Sequence, residues 1–343
     1  MGQCGDLRPA TPVDAEAFAS EIMSPALPAI DYASHPAYGA MFQPDEVLAA
    51  EALGVLQPLI EEMAEVEADR NRKFGYRYGH SSRVGEEVTR RGISHLQLAG
   101  KTFEAIHAAA QPVIQPMRAR IGELRAAGKP IRFKTVEQGL GKEDNGELWR
   151  AVDAMLRETE IYDLVAAFFS AGSARINSLA MFVNPANQDW ASRPFRDIEL
   201  ETPPTAGFHI DSNGKCYLKG IPYLSDVGPE QGPFGIVPES HLWGQGGLDR
   251  IRRRAFDRSR LISRSAEERR MFISLPSEMQ VKAEFGGDMT PGSAEAERLL
   301  RQELVSLGPA GLLSLFYPEA IHRGGNVSSG ERHALQITLT AQW

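Results

Sequence analysis

Cysteine is nearly missing: the chain has two, Cys4 and Cys216, far apart and in no Cys-x-x-Cys pair. That argues against a disulfide framework or a cysteine zinc site and suits a reducing, cytoplasmic setting. Long apolar runs are missing as well, since no stretch approaches the ~18 residues of a membrane span. There is no glycine-rich phosphate loop of the P-loop or Rossmann kind, and there are no repeats. Nor is basic charge in excess: 37 Lys and Arg stand against 45 Asp and Glu, for a net charge of −8. With a pI near 5.6, a nucleic-acid partner is not expected. The start, Met-Gly-Gln-Cys-Gly-Asp, carries Asp6 where the acylation pattern wants Ser or Thr, and reads as an ordinary frayed terminus.

What remains is a globular composition, 42% hydrophobic and 24% charged over 343 residues. That length suits two domains or one decorated barrel, and the chain reads as a single domain spanning 1–343. Residues 1–44, rich in Pro, Ala and Gly, form an N-terminal arm. Residues 45–172 form a helical support region, with apolar residues at three- and four-residue steps over 45–72, 101–127 and 147–171. Pro58 divides or kinks the first helix, and Pro112 and Pro116 interrupt the second. Residues 173–343 are the core: short β-like runs at 175–183, 207–211, 216–224, 234–237, 311–317 and 332–343, separated by turn residues. Helices first and strands second give an α+β class, with the helices on the outer face of an antiparallel sandwich or barrel.

An insertion at about 244–303 breaks the core and carries nine arginines between 250 and 270. As a lid over the barrel mouth it would attract an anionic group on a small-molecule substrate. As a solvated helix it would pair those arginines with Asp249, Asp257, Glu267 and Glu268. Arg83, Arg90 and Arg91, near His80 and His95, are further candidates to line a cavity, and Trp190 and Phe195 to contact substrate.

One constellation carries chemistry. In Gly207-Phe208-His209-Ile210-Asp211, the His and Asp are two residues apart, so in a strand both side chains leave the same face. His322 is the best candidate for a third ligand, coming between the apolar run 312–317 and the turn Arg323-Gly324-Gly325-Asn326. Two imidazoles and a carboxylate on one face of an octahedron leave three positions open, the arrangement of non-haem Fe(II) oxygenases. Ten residues on, Arg332 shares the polar face of the last strand with Ala334, Gln336, Thr338 and Thr340. There its fork can hold a dicarboxylate.

The segment Gly232-Pro233-Phe234-Gly235-Ile236-Val237-Pro238-Glu239-Ser240-His241 resembles a signature of the phytanoyl-CoA dioxygenase family of Fe(II)- and 2-oxoglutarate-dependent oxygenases. The run from Gly311 to Tyr317 followed by His322, and the Asn326, Ser328 and Arg332 spacing, resemble that family's later motifs. The resemblance implies a double-stranded β-helix, a cupin-like jelly roll. It implies His209, Asp211 and His322 as iron ligands, Arg332 as the partner of the distal carboxylate of 2-oxoglutarate, and a structural role for His241. The activity implied is hydroxylation or a related oxidation by O₂, with release of succinate and CO₂; the family's halogenating relatives lack a carboxylate where Asp211 stands. Glu239 and Ala334 depart from the pattern, standing where Gly and Ser are usual. Lys219 would supplement Arg332, or else is a strand-edge lysine. Two other classes are a cupin-like metal enzyme without 2-oxoglutarate and a non-catalytic ligand-binding descendant of the fold.

Overall fold

A computed structural model describes residues 82–169, 171–186, 208, 209, 211, 217–242 and 294–342. The expected arm, the helix at 45–72, Trp190, Phe195, both cysteines and the arginine cluster at 250–270 lie outside these residues. The described residues fall into two compact units. One holds 82–186, 217–241 and 303–342; the other contributes Phe208, His209, Asp211, Leu242 and 294–302.

In the larger unit, helix α1 (Arg83–Arg91) begins at Ser82, whose hydroxyl accepts from the Gly85 N–H, and ends at Gly92 in the left-handed region (φ 79°). Strand β1 (Ile93–Gln97) follows at once. Helix α2 (Gly100–Ala126) then runs 27 residues without a break, although Pro112 and Pro116 sit inside it. The expected interruption does not occur. Each proline removes one bond to the carbonyl four residues back, those of Ala108 and Pro112, and both residues are exposed, so water replaces the bonds. Against a cost of roughly 3 kcal/mol per proline, the opposite face buries Ile106, Val113, Ile114, Met117 and Ile121. Each contributes about 1.5–3 kcal/mol, and burial wins.

Short helix α3 (Phe133–Val136) leads into strand β2 (Glu137–Gly139). The expected helix at 147–171 is two, α4 (Gly146–Glu158) and α5 (Ile161–Phe168), parted where Glu160 takes φ 56°. The turn lets both apolar faces, Leu148, Val152, Met155 and Leu156 then Ile161, Leu164, Val165 and Phe168, reach one core.

Strands β3 (Ser173–Pro185), β4 (Tyr217–Pro222), β7 (Leu312–Phe316) and β9 (Glu331–Gln342) join β1 and β2 in a six-stranded sheet ordered β1-β7-β4-β9-β3-β2. A three-stranded sheet has the order β6-β5-β8, from β5 (Phe234–Ile236), β6 (Leu304–Ser306) and β8 (His322–Gly324). All pairings are antiparallel. Two strands thus come from the region expected to be helical: β1 borders β7, and β2 forms the far edge of the sheet.

Alternation along the strands sorts the residues. Leu335, Ile337, Leu339 and Ala341 of β9, with Leu313, Leu315, Leu218, Leu179 and Met181, pack against α2, α4 and α5. On the other face, Ile93, Phe316, Tyr223 and Ala334 meet Phe234 and Ile236 of the small sheet. The architecture is a mixed fold of helices over two antiparallel sheets. In the second unit, α6 (Ala294–Gln302) is a short amphipathic helix inside the expected insertion.

Candidate metal centre

His322 opens β8 and is buried. Its ring lies beside those of Phe316 (centroids 4.9 Å apart) and Phe234 (5.8 Å). Nδ1 stands 2.7 Å from the Ala320 carbonyl oxygen, which can only accept. Nδ1 therefore carries the proton, and Nε2 keeps the lone pair a metal needs.

His209 and Asp211 are partly exposed, with His209 Nε2 at 3.8 Å from Asp211 Oδ1. His209, Asp211 and His322 form a group that could hold a metal ion: one ligand atom from each lies within 4.8 Å of the others. Two neutral imidazoles and one carboxylate leave net negative charge for a divalent cation, and the donor set suits ferrous iron.

Arg332 stands near the start of β9, directly opposite Asn184 of β3, and both are buried. Nη2 donates to Asn184 Oδ1 at 3.0 Å, and Nη1 to the Gly325 carbonyl at 3.4 Å. Nε, also buried, has no hydrogen-bond partner among the described residues. Burial pushes the guanidinium below the usual arginine pKa, while the Tyr223 hydroxyl acts the other way. A buried cation with an unused donor fits an anionic group that the described residues do not supply. Sequence reasoning missed Asn184, which sits one residue past the expected end of its strand. The signal was its place in the alternation, on the face opposite Met181 and Val183.

The backbone beneath Arg332 is locked by close contact. Gly232 has φ 64°, and a Cβ there would come within 2.5 Å of the Gly325 carbonyl oxygen. A Cβ on Gly325 would clash with the Pro233 carbonyl oxygen, and the Gly325 N–H donates to that oxygen at 3.0 Å. The 232–241 segment thus braces the turn that supports the guanidinium. Further along it, Glu239 keeps the left-handed backbone a glycine would favour (φ 66°), its N–H donating to the Arg91 carbonyl. His241 is buried, with Nε2 at 2.8 Å from the Thr89 carbonyl, and joins this segment to α1.

Lys219 stands on β4, next to β9 in the sheet. Its register partner on β9 is Thr338, six residues past Arg332, and its charge acts on Glu137, easing the upward push that burial gives that carboxyl. Arg83 is drawn to Glu87 at 2.7 Å, and His95 Nε2 lies 2.8 Å from the Ser306 hydroxyl. His80 lies outside the described residues.

No family model matches the chain, and no curated protein does. Among solved structures it is similar to the non-heme alpha-ketoglutarate-dependent carbocyclase SnoK from nogalamycin biosynthesis, at 15% identity over 77% of this chain and 85% of that one, TM-score 0.39. It is also similar to EctD from S. alaskensis in its apoform, at 12% identity over 78% and 81%, TM-score 0.44. A third is AviO1 from Streptomyces viridochromogenes Tue57, at 14% identity over 77% and 96%, TM-score 0.41. EctD structures contain bound Fe in one case and 2-oxoglutarate with 5-hydroxyectoine in another. Likeness this loose assigns neither a substrate nor a site residue to the chain.

Proposed function

We propose that the chain is an Fe(II)- and 2-oxoglutarate-dependent oxygenase, built on a double-stranded β-helix, that oxidises a small-molecule substrate. The observation that carries this reading is the grouping of His209, Asp211 and His322 around one point. The orphan donor of buried Arg332 supports it and disfavours a metal enzyme that uses no dicarboxylate.

Each side chain has a task. Asp211 supplies charge, while His209 and His322 supply neutral nitrogen donors. The Ala320 carbonyl fixes which His322 nitrogen faces the metal. Phe234 and Phe316 form an apolar wall beside it that keeps out water. Arg332 binds the distal carboxylate of 2-oxoglutarate and so fixes how the co-substrate is presented. Ferrous iron bound there, with 2-oxoglutarate as reductant, supplies the activation of O₂. In the balanced reaction a C–H of the substrate becomes C–OH, and 2-oxoglutarate and O₂ give CO₂ and succinate, whose new carboxylate carries the second oxygen atom.

The test is succinate formation. Protein loaded with Fe(II) and given 2-oxoglutarate and air should release succinate slowly, and faster with a true substrate. Asp211→Ala should abolish both rates. Succinate release that survives loss of Asp211, or none from the parent protein with any candidate substrate, contradicts the reading.

A further inference from the structure

Residues 331–333 of β9 send their side chains to alternate faces with different partners. Glu331 accepts from Arg118 Nε at 2.8 Å, and His333 Nε2 lies 3.1 Å from the same carboxylate oxygen. Arg332 points the other way, to Asn184 and the Gly325 carbonyl, both uncharged. No carboxylate pairs with it among the described residues. Asn and Asp have the same shape. An Asp at 184 would face the guanidinium at the same 3.0 Å separation with an opposite charge, between two buried residues.

From this we infer that Asn184 is a positioning residue whose neutrality matters: it aims the Arg332 fork and leaves the guanidinium charge for an incoming carboxylate. The inference rests on the reading of Arg332 as the co-substrate's anchor. An ion pair at 184 would satisfy Arg332 from within the fold, and an arriving carboxylate would then meet a neutralised partner and a second negative charge. Affinity should therefore not follow stability across substitutions at 184: the variant that stabilises the fold should bind the co-substrate worst, which a purely structural role would not produce.

Asn184→Asp and Asn184→Ala are compared with the parent chain. Melting temperature is read on metal-free protein, iron content after anaerobic loading, and 2-oxoglutarate affinity by calorimetry. N184D should melt a few degrees higher, ~4 °C, and bind 2-oxoglutarate about thirtyfold more weakly or worse. N184A should melt lower and bind about tenfold more weakly, and all three should take up the same iron. In air, the loss should fall on KM for 2-oxoglutarate rather than on kcat. N184D binding within threefold of the parent, or affinities that follow the melting order, overturns the inference. If instead the parent and Arg332→Ala bind 2-oxoglutarate equally, the reading of Arg332 itself has failed.

Discussion

Arg332 is the residue on which the chemistry of the co-substrate turns. Truncating it should leave iron uptake intact and weaken 2-oxoglutarate binding by about a hundredfold or more, because the ligand's buried carboxylate would lose a charged partner. Calorimetry on the iron-loaded variant checks this, and unchanged affinity would refute it. Arg332→Lys should recover only part of the loss, since a point charge cannot reproduce the planar fork. Glu239 makes a different prediction. It holds a left-handed backbone that costs an ordinary residue roughly 1–2 kcal/mol, so Glu239→Gly should stabilise the chain by about 1 kcal/mol in a denaturant titration. Destabilisation there would show that the Glu239 side chain has a task of its own.

At the scale of elements, the two sheets are joined by a few polar contacts that respond to pH and to volume. His95 of β1 meets Ser306 of β6. Burial, and then Arg91, hold its pKa below the ordinary histidine value, with Glu87 opposing. A depressed histidine pKa stabilises the fold fully above the unfolded value near 6.5, and the benefit drains away as pH falls through the folded value. Melting temperature should therefore drop between pH 7 and pH 5.5, and less so in His95→Gln, which keeps a hydrogen-bonding group but does not titrate. Equal slopes in the two proteins would contradict this. The Gly232–Gly325 contact responds to volume. Gly325→Ala places a methyl against the Pro233 backbone and should destabilise by about 2 kcal/mol or more. It should weaken 2-oxoglutarate binding too, because the Gly325 carbonyl holds Arg332; a neutral result in a melting series would refute the bracing role.

For the whole molecule, β3, β4, β7 and β9 were legible from their apolar and turn residues, whereas the three-residue strands β6 and β8 were not expected. β9 buries Leu335, Ile337 and Leu339 toward the helices and turns Arg332, Ala334 and Thr338 to the other face. The nearness of the His209 and Asp211 side chains agrees with their spacing of two residues. What stayed hidden depends on tertiary packing. β1 is five residues long and takes its place only by pairing with β7, more than two hundred positions away. The prolines of α2 looked like breaks, because nothing local says that they face solvent. The register that sets Lys219 opposite Thr338 was hidden too, because register between strands cannot be read from one strand alone. The claim beneath all of this is that one ferrous ion is held jointly by His209, Asp211 and His322. Anaerobic titration of the metal-free chain with Fe(II) in the presence of 2-oxoglutarate, followed by the weak visible charge-transfer band, tests it most directly. The band should saturate at one iron per chain and be missing in folded His209→Ala and His322→Ala; a band that persists in either variant, or never forms in the parent chain, would contradict it.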